Sequence, residues 1–102
     1  MEKKQYFFKL IPPRPTFPMD ITADEAALME RHRVYWAEHF AAGQLIAYGP
    51  VLAPVGAFGT SILEVEGEAE ACRFGDDDPS VVEGLNKFEI YPMRLVAARA
   101  KS

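Results

Sequence analysis

The stretch Gln5-Tyr6-Phe7-Phe8-Lys9-Leu10-Ile11 decides how the rest of the chain is read. Aromatic and branched side chains fill it almost without interruption, which is the composition of a β-strand. A strand with one wet face should alternate apolar and polar residues. This one mostly does not, which predicts burial on both faces. A chain of 102 residues makes one domain, and so small a domain has trouble covering both faces of a sheet alone. A second copy packed on the sheet would solve the problem.

Outward from this strand the punctuation is clear. Pro12-Pro13-Arg14-Pro15-Thr16-Phe17-Pro18 forbids helix and central strand, so 12–21 is read as a stiff, extended loop, either a lid or a plain connector. Thr22-x-x-Glu25 has the form of a capping box and starts a helix that runs to about Ala42 and stops at Gly43. On a 3.6-residue wheel Leu28, Met29, Tyr35, Trp36 and Phe40 fall within a stripe of roughly 140°, with His32 and His39 near its middle. Strands are expected at 45–51 and 58–66, with Gly49-Pro50 ending or bending the first and Ala53-Pro54-Val55-Gly56 turning between them. A short helix is expected at 68–74, interrupted by Gly75 and Asp76-Asp77-Asp78. Asp78-Pro79 then reads as an N-cap followed by proline, starting a helical piece to Leu85. A last strand, 87–96, carries Pro92, which argues for an edge position or for the end of the pairing. The order is β-α-β-β-α-β. It predicts an α+β, ferredoxin-like fold, an antiparallel sheet with helices on one face. A single domain spans 1–102, with a core at 5–94 and a tail at 97–102.

Composition narrows the function classes. Lys+Arg 11 against Asp+Glu 15 gives a net charge of -4, which disfavours nucleic acid and anionic membrane as partners. No apolar run approaches the roughly 20 residues of a membrane helix. The apolar stretch after Met1-Glu2-Lys3-Lys4 is broken by Lys9, which argues against a signal peptide. The single cysteine, Cys72, allows no internal disulfide and no zinc cluster. These features set a cytoplasmic location and no cofactor as the expectations.

His32 is the most informative candidate. A buried imidazole needs a hydrogen-bond partner. With a carboxylate it forms a dyad suited to acid–base work; with a backbone carbonyl it is a core histidine. His39, seven residues on, lies about 10.5 Å further along the axis, too far to share an ion with His32; it reads as structural or interfacial. One carboxylate of Asp76-Asp77-Asp78 could orient His32, and the same residue could cap the following helix, because a carboxylate has several acceptor sites. Arg14, Tyr6, Tyr48 and Ser61 are candidates for lining a pocket, Arg14 as a bidentate carboxylate binder. Each of the four reads equally as packing or surface. Cys72, among acidic neighbours, reads as a filler and not a nucleophile. Neither a Gly-x-Ser-x-Gly elbow nor a glycine-rich phosphate loop is present.

Phe8-Lys9-Leu10-Ile11-Pro12-Pro13-Arg14-Pro15-Thr16-Phe17, then Met29-Glu30-Arg31-His32 with Tyr35-Trp36, Gly43 with Gly49-Pro50-Val51, Asp78-Pro79 and Pro92-Met93 together resemble the longer-loop members of the YciI-like, or YCII-related, family. The resemblance covers about residues 5–94. It implies a ferredoxin-like fold that dimerises sheet to sheet into a dimeric α/β barrel. It also implies a His–Asp dyad matching His32 and Asp78, and enzymatic chemistry on a small organic molecule in the style of isomerases that share the fold. It tips His32 from the core-histidine reading toward the dyad. The expected function is proton transfer, isomerase- or lyase-type, on a small carbonyl or carboxylate compound that is anionic if Arg14 holds it. The alternatives are a ligand-binding module without turnover and a structural domain. Phe74-Gly75-Asp76-Asp77 departs from the family's alanine-rich helical run, which predicts an early helix end.

Overall fold

The computed structural model describes residues 2–99. Its elements are β1 (Lys4–Ile11), α1 (Ala23–Ala41), β2 (Leu45–Ala53), β3 (Gly56–Val65), α2 (Glu68–Asp77), α3 (Pro79–Val82) and β4 (Lys87–Met93). The strands form one sheet in the order β2-β3-β1-β4, every neighbouring pair antiparallel. This is the α+β, ferredoxin-like arrangement. The β4 strand lies at an edge, where Pro92 removes no needed donor, but it ends at Met93 and not at Val96. Of the tail, residues 100–102 lie outside the described residues.

Local chemistry sets the element ends. The Thr22 side chain accepts from the Glu25 amide at 3.1 Å, and the Glu25 carboxylate accepts from the Thr22 amide at 3.0 Å, so the capping box closes in both directions. At the other end Gly43 takes φ +82°. Its amide donates to Phe40 and that of Gln44 to His39, which satisfies two orphan carbonyls.

The two faces of the sheet differ. Tyr6, Phe8 and Leu10 of β1 point toward the helices and are buried, whereas Gln5, Phe7, Lys9 and Ile11 on the other face are half-buried. The expected two-sided burial of β1 is therefore complete on the inner face only. The inner core joins Phe8, Leu63, Val65, Ala71 and Phe74 to Trp36, the buried residue of α1, whose ring centroid lies 4.9 Å from that of Phe8. Phe40, expected in the apolar stripe, is 49% exposed and rests on Tyr48.

The helix expected to stop at Gly75 does not stop there: α2 continues to Asp77. Gly75 is buried, and a methyl group there would overlap the Phe88 ring. The glycine is needed for close packing of α2 on β4 and is not a helix terminator. The β2 strand also outruns its expected end, because Gly49-Pro50 sits on an edge strand. A register shift between Leu45 and Ala47 marks a bulge at Ile46. An extra residue exchanges the faces, so Tyr48, Pro50 and Leu52 follow Leu45 onto the inner face, opposite Ser61, Gly59 and Ala57.

Candidate active site

Small inner-face residues leave room above β3. Ala57, Gly59 and Ser61 cannot fill the space between the sheet and α1, and a cavity of about 440 Å³ remains. Phe8 and Leu10 form part of its floor, and α1 supplies Met29, His32 and Trp36. The proline-rich loop closes it with Pro12, Phe17, Pro18 and Ile21. The loop is seated by Phe17, which is buried, and by a close approach to the β2–β3 turn, where a Cβ on Gly56 would come within 2.9 Å of the Pro15 carbonyl.

His32 lies at the wall, its side chain 20% exposed, and its Nδ1 is 2.7 Å from Asp78 Oδ2. Asp78 is fully buried and its hydrogen bonds are well supplied. Trp36 Nε1 donates to Oδ2 at 2.6 Å, and the Ser80 amide and hydroxyl each donate to Oδ1 at 2.8 Å. Burial pushes the Asp78 carboxyl up. The hydrogen bonds and charge of His32, with the donors Trp36 and Ser80, outweigh it and hold the group below its ordinary value. In the neutral form of the imidazole an ionised Asp78 takes the proton on His32 Nδ1, which leaves Nε2 as the lone-pair acceptor; among the described residues nothing bonds to Nε2. Asp78 is thus both the cap of α3 and the partner of His32.

The other candidates divide. Ser61 and Tyr48 line the cavity; Ser61 is buried and Tyr48 is 44% exposed. Tyr6 does not line it, because its inner-face position places it within the packed core. Arg14 does not line it either. Its guanidinium is taken by Glu25, at 2.7 and 2.8 Å, and by Asp20 Oδ1 at 3.0 Å. These carboxylates raise the Arg14 pKa, and Arg14 in turn holds Glu25 down to about 2. Arg14 therefore clasps the loop to the start of α1 and does not present itself to a ligand. Asp76 and Asp77 are exposed and do not join His32. His39 does not join the dyad: its Nδ1 lies 2.6 Å from Gln44 Oε1 and its ring is edge-on to Tyr35 and Phe74. Among the described residues no three His, Cys, Asp or Glu side chains stand together so as to hold a metal ion. In the same span no helix is long and apolar enough to cross a membrane.

Trp36, Ser80 and Asn86 were not apparent as site residues from sequence. Trp36 stands four residues after His32, hence on the same helix face, and Ser80 stands where an N-cap aspartate finds its donor. Those two signals were present. Asn86, buried at the cavity wall, had none.

Searches of curated proteins and of solved structures return no match. A family model, the YCII-related domain, matches residues 7–94, a span that holds the dyad, the loop and all four strands, and the chain belongs to that family.

Proposed function

We propose that the protein is a small-molecule enzyme that moves a proton on an enolisable carbonyl compound, with isomerisation or elimination as the outcome. One observation carries the reading. His32 bonds through Nδ1 to a fully buried carboxylate that three further donors hold in place, while the rest of the ring forms part of the wall of an apolar cavity. Nε2 takes a proton from the carbon next to the carbonyl. The C–H pair moves into the enolate, and the negative charge develops on oxygen. Asp78 stabilises the imidazolium that forms, and the Ser61 hydroxyl is available to donate to that oxygen. The imidazolium then returns the proton to another carbon, or a group leaves from the β-carbon with the electron pair. We extend the proposal to assembly: two copies pack through the outer sheet face, as in a dimeric α/β barrel.

The test is solvent deuterium incorporation into a panel of enolisable ketones and unsaturated lactones, read by NMR. His32→Gln should slow exchange by about 10²-fold or more, the scale of a general base, with the fold intact. Saturable binding without exchange in any member of the panel would identify a binding module instead. Exchange equal in the variant would remove His32 from the chemistry.

A further inference from the structure

Two buried side-chain oxygens have no hydrogen-bond partner among the described residues, Ser61 Oγ and Asn86 Oδ1, and both residues line the same cavity as His32. Asn86 is 3% exposed. Its orientation is defined: Nδ2 donates to Met29 Sδ at 3.4 Å, which turns Oδ1 away from Met29. Sulfur is an acceptor only, so the amide nitrogen must face it. Met29 lies one helical turn before His32, on the same face of α1. The Asn86 main-chain N–H donates to the Ser80 carbonyl at 3.0 Å, and Ser80 is the residue that holds Asp78. One segment, 78–86, therefore carries both the partner of the imidazole and an orphan carbonyl oxygen on a residue that lines the same cavity. Buried carbonyls in proteins are nearly always paired.

We infer that Asn86 is a specificity residue of this cavity, and that it selects an uncharged ligand with an apolar body and a hydroxyl or N–H group that donates to Asn86 Oδ1. The inference rests on the cavity being the ligand site of the proposed reaction. Neutrality follows from the walls. Arg14 is away from them and neutralised. Arg33, the cation at the rim, is exposed and paired with Glu30. A carboxylate would meet apolar side chains, two acceptors, Asn86 Oδ1 and His32 Nε2, and the neutral Ser61 hydroxyl as a donor, with no unpaired cation among the described lining residues to balance its charge. A hydroxyl or N–H meets an acceptor that otherwise stays unpaired.

The experiment titrates the protein with 3- and 4-hydroxyacetophenone, their methyl ethers and 4-acetylbenzoate. Binding is followed by amide shifts, and deuterium uptake at the acetyl methyl is followed in the same samples. At least one hydroxy ketone should bind about tenfold more tightly than its ether, and 4-acetylbenzoate should bind more weakly than either. Asn86→Ala should erase the preference, and Asn86→Asp, which keeps acceptor oxygens, should retain it. If Asn86→Ala does not fold, Asn86→Leu restores bulk without the acceptor, and the wild-type comparison needs no variant. No preference in either wild-type pair, a preference that survives loss of the acceptor, or tightest binding of the benzoate overturns the inference. Exchange without hydroxyl preference removes this inference alone. Preference without exchange removes the proton-transfer reading alone, and no binding by any ketone removes both.

Discussion

Asp78 carries more of this molecule than any other side chain. It caps α3, receives the Trp36 indole and holds the His32 imidazole, all from a fully buried position. Donors surround both oxygens, so an amide cannot replace the carboxylate: whichever end the NH₂ takes, it faces N–H or O–H groups. Asp78→Asn should cost about 2–4 kcal/mol of stability, measured by urea unfolding at pH 7. The pH dependence follows from the lowered native pKa of Asp78. Below the unfolded carboxyl value near 4 the unfolded chain binds more protons than the native one, so stability rises with pH through this window. The Asp78 contribution is fully present above about pH 4–5 and is lost as pH falls through the native value. Urea midpoints between pH 2.5 and 5 should fall less steeply in Asp78→Asn than in the wild type.

The elements are shaped by two packing decisions. The first is Gly75, an α-helical glycine kept because the Phe88 ring occupies the space of its Cβ. Alanine would gain up to about 1 kcal/mol in helix propensity, but overpacking costs typically 1–3 kcal/mol. Gly75→Ala should therefore be net destabilising by about 1 kcal/mol. Combining it with Phe88→Leu should recover part of the loss, and a double-mutant cycle reads the coupling. The second is the Arg14 clasp on the proline-rich loop. Its Arg14 and Glu25 side chains are half-buried at the surface and still reach solvent, so the pair contributes little to global stability. Its effect belongs to the loop, where the Met19 amide donates to Thr16 at 2.8 Å. Arg14→Ala should speed hydrogen exchange at Met19 by up to about fivefold, on the scale of an exposed ion pair, and leave the unfolding midpoint nearly unchanged. Because Glu25 titrates at about 2, the clasp should hold at pH 4 and loosen below about pH 3.

At the scale of the whole molecule the outer sheet face stands out. Phe7 and Ile62 lie directly across from one another between β1 and β3, and Phe7 approaches Tyr91 of β4, with ring centroids 6.5 Å apart. Val51 and Tyr91 on the same face are 38% and 49% exposed. An apolar patch of this kind, flanked on the same face by Gln5 and Lys9, favours association. The proposed dimer predicts twice the chain mass at micromolar concentration in sedimentation equilibrium. Phe7→Lys and Ile62→Lys should each shift the mass toward the monomer, with circular dichroism unchanged. A wild-type protein that sediments as a monomer would end the dimer proposal and leave the dyad untouched.

What the sequence by itself determined is what neighbouring residues settle among themselves. Thr22 and Glu25 close a capping box three residues apart, Gly43 can take the positive φ that ends α1, Asp78-Pro79 starts α3, and the near-continuous apolar run in β1 marks a strand. The ordered motifs also carried the family resemblance and the pairing of His32 with Asp78. Only the tertiary structure decided the rest, because those outcomes depend on partners far apart in the chain. Gly75 looks like a helix stop until Phe88 is packed against it. Arg14 looks like a free anion binder until the loop folds back on Glu25. Ala57, Gly59 and Ser61 are small residues without meaning until the bulge at Ile46 sets the β2–β3 register and leaves a cavity above them. Asn86, 54 positions from His32 in sequence, reaches the cavity wall only because the segment that buries Asp78 also ends there.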